Sequence, residues 1–97
     1  MAVKILESAF EDLQLIKEWH YKNGSKIATG CLEEIERLNQ SPNIGVPLDS
    51  KIDVETDFKF LVYRPYLIFY KVRDKVVVYR IMDGRQDYLG NLLATKS

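Results

Sequence analysis

A single cysteine in 97 residues leaves this chain without a disulfide framework or a thiolate metal cage. Cys31 falls in an apolar helix face and reads as a small buried hydrophobe. Histidine is as scarce: His20 stands alone with no acid partner placed near it, and reads as a residue at the edge of the core. Net charge is absent as well, with 14 Lys/Arg against 14 Asp/Glu and a pI near 6.6. Proteins that rely on nucleic-acid phosphates for affinity are usually strongly basic. No apolar run approaches the ~20 residues of a membrane helix. The opening MAVKILESAFEDL lacks the basic region, apolar block and cleavage site of a secretory leader. A cytoplasmic chain that does not engage a membrane is expected. Asp83 and Asp87 have no third ligand at suitable spacing, so no metal site is expected. DGRQD (83–87) holds one glycine and not a phosphate-cradling set, so no cofactor is expected either.

What is present suits one small domain over residues 1–97, with 46% hydrophobic and 29% charged residues. The zero net charge hides an asymmetry. Residues 1–57 carry 6 Lys/Arg against 11 Asp/Glu, and residues 58–97 carry 8 against 3. Two readings fit: faces of opposite sign offered to partners, or acidic helices lying over a basic sheet and neutralising it.

VKIL (3–6) reads as a first strand. Ser8 and Glu11 fit a capping box at the start of a helix. Phe10, Leu13, Ile16 and His20 recur at three- or four-residue steps along it, with Leu15 and Trp19 widening the stripe. Asn23-Gly24 should end this helix through a left-handed glycine, and Ser25 should cap a second. The second helix runs to about Asn39, with Ala28, Cys31, Leu32, Ile35 and Leu38 on one face. Gly30 would let the two helices of the hairpin approach closely. SPNIGVPLDSK (41–51) reads as a loop. DFKFLVY (57–63), YLIFYKV (66–72) and KVVVYRI (75–81) are β-branched and aromatic, as strands prefer. Arg64-Pro65 and Arg73-Asp74 supply the connections. The order βααβββ predicts an α+β fold: a helical hairpin packed on one face of a mainly antiparallel sheet. Leu89, Leu92 and Leu93 are expected to fold back onto the helices.

FEDLQLIKEW (10–19), LEEIERLNQSPNIGVPL (32–48) and YRPYLIFYKVRDKVVVYRIMDGRQD (63–87) together resemble the RelE/ParE superfamily, the toxins of bacterial type II toxin–antitoxin modules, some of them known for plasmid stabilisation. The likeness spans about residues 3–93. It implies a toxin that inhibits growth and a cognate antitoxin as partner. RelE-like members cut mRNA on the ribosome; ParE-like members poison DNA gyrase without nuclease chemistry.

Metal-free RNA cleavage needs a group to take the 2′-OH proton, cations for the phosphorane and a donor for the leaving oxygen. On the nuclease reading the resemblance puts these roles on Arg85, Lys59, Arg64 and Tyr88. Leu67 stands where a nuclease-type member carries an arginine, and the usual C-terminal tyrosine position falls near Asn91. The favoured expectation is therefore a ParE-like toxin acting by binding; the alternatives are a RelE-like endonuclease and a non-toxic member of the fold. Tyr63, Tyr66, Tyr70 and Tyr79 read as sheet packing and not as base-stacking platforms. Trp19, Leu15 and Tyr21, with Arg80 and Arg85, are the candidate partner-binding residues, since an antitoxin segment needs an apolar groove or open sheet edge.

Overall fold

The computed structural model describes residues 1–95. Strand β1 (Val3–Ile5) leads into helices α1 (Glu7–Trp19) and α2 (Gly24–Glu36), the latter continued by a 3-10 turn to Asn39. Four strands follow: β2 (Val46–Pro47), β3 (Lys59–Tyr63), β4 (Tyr66–Val72) and β5 (Val76–Asp83). Helix α3 (Leu89–Ala94) comes last. The sheet order is β1-β5-β4-β3-β2, antiparallel except for the β1–β5 pair. The α+β architecture with a helical hairpin on one face is as expected. Edge strand β2 and helix α3 are additions to the expected order. A two-residue strand inside a Pro- and Gly-punctuated stretch carries no alternation to read. It is held by tertiary bonds: Gly45 N donates to the buried Tyr70 hydroxyl at 2.9 Å, and Leu48 N to the Phe58 carbonyl at 2.9 Å.

Both sheet faces are covered. On the helical face Ala9, Leu13 and Ile16 of α1 and Ala28, Cys31 and Ile35 of α2 pack on Leu61, Ile68, Tyr70, Val78 and Ile81. On the other, Phe58, Phe60, Phe69, Tyr79 and Met82 are closed over by Leu48 and Leu92. Each such large side chain contributes about 1.5–3 kcal/mol by leaving water. Leu92 therefore completes a core on the face opposite the helices and does not fold onto them, while Leu93 stays exposed. Three cations of the basic second half meet carboxylates of the acidic first half: Lys71 and Arg73 meet Asp57, and Arg80 meets Asp12.

Several local expectations give way to packing. Ser8 lies inside α1 and donates to the Tyr79 carbonyl at 2.6 Å, so the bond goes to the sheet and not to a capping box. The buried stripe of α1 runs through Ala9, Asp12, Leu13 and Ile16, leaving Phe10 exposed; small Ala9 lets the helix sit close to the sheet. Ser25 makes no cap, because Asn23 occupies that position, again without a side-chain bond. Gly24 does not take a left-handed conformation; it opens α2, where a Cβ would run into the backbone of Lys17. A Cβ at Gly30 would collide with the Tyr63 ring, so its close approach is to the sheet and not to α1.

Burial, with Glu34 beside it, pushes the Cys31 thiol up to about 11, which keeps it neutral and unreactive. Replacing Gly24 with alanine should force the helical hairpin apart at a backbone contact that cannot yield. A loss of about 2–4 kcal/mol is expected in urea denaturation, against a gain of a few tenths for Gly→Ala at a permissive helix site.

Candidate functional site

Strand β1 pairs with β5 only from Val76 to Val78, so the edge of β5 beyond that point has no strand beside it. Helix α1 runs past this edge and supplies side-chain substitutes for a neighbour. Ser8 caps the Tyr79 carbonyl, and Asp12 accepts from Ile81 N at 2.9 Å. Further along, α1 and β5 diverge and a groove of about 700 Å³ opens between them. Leu15, Ile16 and Trp19 form its helical wall, and Ile81, Met82 and Asp83 its strand wall; Arg80, Arg85 and Asn91 also line it.

Arg80 reaches this edge because β5 carries a bulge. Phe69 faces Arg80 across the ladder while the next residue, Tyr70, faces Val78, so Tyr79 is extra and the alternation shifts there. The Arg80 guanidinium grips Asp12 through Nε at 2.8 Å and Nη2 at 3.0 Å, and its Nη1 donates to Thr95 Oγ1 at 3.2 Å. The bond to Asp12 raises the Arg80 pKa above its ordinary value, so the cation is permanent. With its three bonds Asp12 is the buried charged residue of the described core.

At the groove mouth, Asp83 turns back on Arg85. Its carboxylate accepts from the Arg85 backbone N at 2.8 Å, from Nε at 3.0 Å and from Nη2 at 2.6 Å. The Arg85 side-chain and backbone bonds hold the Asp83 carboxyl down at about 2. Across the ladder from Asp83 lies Tyr66, whose hydroxyl meets His20 Nε2 at 2.6 Å. Burial, and then the Asp83 charge, raise the Tyr66 pKa, so the phenol stays protonated.

Of the sequence candidates, Trp19, Leu15, Arg80 and Arg85 line the groove. Tyr21 is exposed in the turn after α1 and is not part of the lining. Arg64 is exposed in the β3–β4 turn, beside Gly84, whose N–H donates to the Pro65 carbonyl at 2.9 Å. Arg64 and Arg85 thus share one end of the sheet. Lys59 begins β3 at the opposite end, about 13 Å away along the strand. The Tyr88 ring packs on Phe69, centroids 5.1 Å apart, on the face turned away from the helices. Asp12, His20 and Tyr66 belong to the site although sequence reasoning passed them over. Asp12 did carry a signal: a carboxylate on the apolar stripe of a helix needs a buried cation, and Arg80 sits in an otherwise apolar strand.

The family of ParE toxins of the type II toxin–antitoxin system parDE has a model that matches residues 3–88. The chain belongs to the ParE toxin family. Among solved structures, it is similar to a chain of the chromosomal ParDE toxin–antitoxin system from P. aeruginosa. That match has a TM-score of 0.72 at 20% identity and covers 86% of this chain and 95% of that one. Ten solved chains match in all, whereas no curated protein does. At this identity the structural likeness speaks for the fold. Helix α3 lies beyond the span of the ParE family match.

Two measurements test the electrostatics of this ParE-family groove. Asp12→Ala leaves a largely buried guanidinium without its carboxylate, and a loss of about 2–4 kcal/mol is expected in denaturant titration. For Asp83 the folded pKa lies below the unfolded value of about 3.9, so its contribution is complete above that pH and disappears as pH falls toward 2. Stability curves of the parent chain and Asp83→Asn should therefore be separated near neutrality and converge between about pH 4 and pH 2.

Proposed function

We propose that this chain is the toxin of a type II module, that it acts by binding a cellular target such as DNA gyrase, and that the α1–β5 groove receives a segment of its antitoxin. One observation carries the choice of binding over RNA cleavage: the groups that cleavage would require are not gathered around Arg85. Its guanidinium is engaged by Asp83, Lys59 lies at the far end of β3, and Tyr88 packs on the other face. A phosphorane there would meet a guanidinium already engaged by Asp83, with the lysine and tyrosine of the expected set held elsewhere in the fold.

The groove suits a peptide segment. Trp19 and Leu15 are 83% and 61% exposed and stand one helical turn apart, as side chains that await a partner do. An open strand edge faces them, which favours an extended or helical segment from another chain. The neighbouring exposed cations Arg64 and Arg85 keep a RelE-like endonuclease as the second reading, since two guanidiniums could hold a phosphate.

Pulse labelling of new DNA and new protein, minutes after this chain is induced alone in bacteria, distinguishes the readings. DNA synthesis should fall first. A prompt fall of protein synthesis with DNA synthesis intact would favour the endonuclease, and normal growth would remove the toxin reading. With the antitoxin from its own operon, Trp19→Ala should raise the Kd about tenfold or more in a titration of the purified proteins.

A further inference from the structure

Trp19 is the last residue of α1, and His20 leaves the helix with φ −94° and ψ 98°. The turn residues that follow, Tyr21 to Asn23, are all exposed. Backbone bonds close this helix end, from His20 N to the Ile16 carbonyl at 3.3 Å and from Gly24 N to the His20 carbonyl at 2.9 Å, but they leave the orientation of the terminal side chains open. One side-chain bond ties it to the sheet: His20 Nε2 to the Tyr66 hydroxyl at 2.6 Å, with the two rings edge to face at 5.8 Å. Tyr66 is buried at the start of β4, opposite Asp83, and Asp83 in turn holds Arg85. The connected series Trp19, His20, Tyr66, Asp83 and Arg85 thus spans the groove mouth from the helical wall to the strand wall.

We infer that His20 and Tyr66 are positioning residues for partner binding: their hydrogen bond sets where Trp19 stands relative to Arg85. This rests on the groove being the antitoxin site. A bound segment would need Trp19 and Arg85 at fixed spacing, and a large exposed indole at the last position of a helix would have to be ordered at the moment of binding. Ordering it beforehand lowers that cost. A role confined to satisfying a buried phenol would look different. Tyr66→Phe removes the hydroxyl and keeps the ring, so the core keeps its volume and the half-buried His20 loses its tie to the sheet.

Trp19 is the only tryptophan of the chain, so the time-resolved anisotropy of its emission reads this helix end directly. In Tyr66→Phe and in His20→Ala, the fast local part of the decay should grow about twofold. The melting temperature should stay within about 5 °C of the parent. His20→Gln, whose amide can still bond the phenol, should restore the slow decay. The Kd for the antitoxin from the same operon should rise about threefold to tenfold in Tyr66→Phe and recover in His20→Gln. Unchanged anisotropy in both loosening variants would overturn the inference, as would a loosened Trp19 with unchanged antitoxin affinity. If Trp19→Ala binds the antitoxin as tightly as the parent, the groove reading itself falls, whatever the anisotropy shows.

Discussion

The bond between Asp12 and Arg80 is the ion pair that ties α1 to β5 among the described residues. Asp12 brings α1 to the edge of β5, and the same carboxylate takes the N–H of Ile81, which no strand covers. Arg80 extends the link to Thr95 at the end of α3. A buried ion pair is weak grounds for stability in itself, because desolvation offsets most of the attraction. Its consequence here is geometric. The helix is held against β5 at Asp12, and the groove runs from that contact along the last turn of α1.

The rest of the packing follows from closeness at a few points. The helical hairpin is tight because Gly24 places its backbone on that of Lys17, and α2 approaches β3 because Gly30 clears the Tyr63 ring. Leu92 and Leu48 seal the second sheet face, so a chain of this length builds two apolar layers around one sheet. The acidic and basic halves meet across these layers. Ion pairs join the two halves at Asp57 and at Asp12.

Membership of the ParE toxin family and the groove geometry point the same way, toward recognition between protein surfaces. Exposed Trp19 and Leu15 stand opposite a strand edge that no strand covers, and the two arginines of the groove are paired with Asp12 and Asp83. A site of this kind selects by shape and apolar burial, with charge setting the register. The placement of Lys59 and Tyr88 away from Arg85 fits the same conclusion.

The sequence alone determined the α+β class, the helical hairpin and strands β3 to β5. Each rests on local periodicity or turn chemistry, and a window of ten residues contains that information. Tertiary structure decided everything that depends on a distant partner. Ser8 looks like a cap until the Tyr79 carbonyl is beside it, and Val46-Pro47 is a strand only because Phe60 and Lys59 pair with it. Leu92 chose the face away from the helices because the aromatic layer there was still open. Asp12, His20 and Tyr66 join the site through contacts spanning 46 to 69 residues: the helix pattern hints that Asp12 needs a cation, but only the fold names the partners.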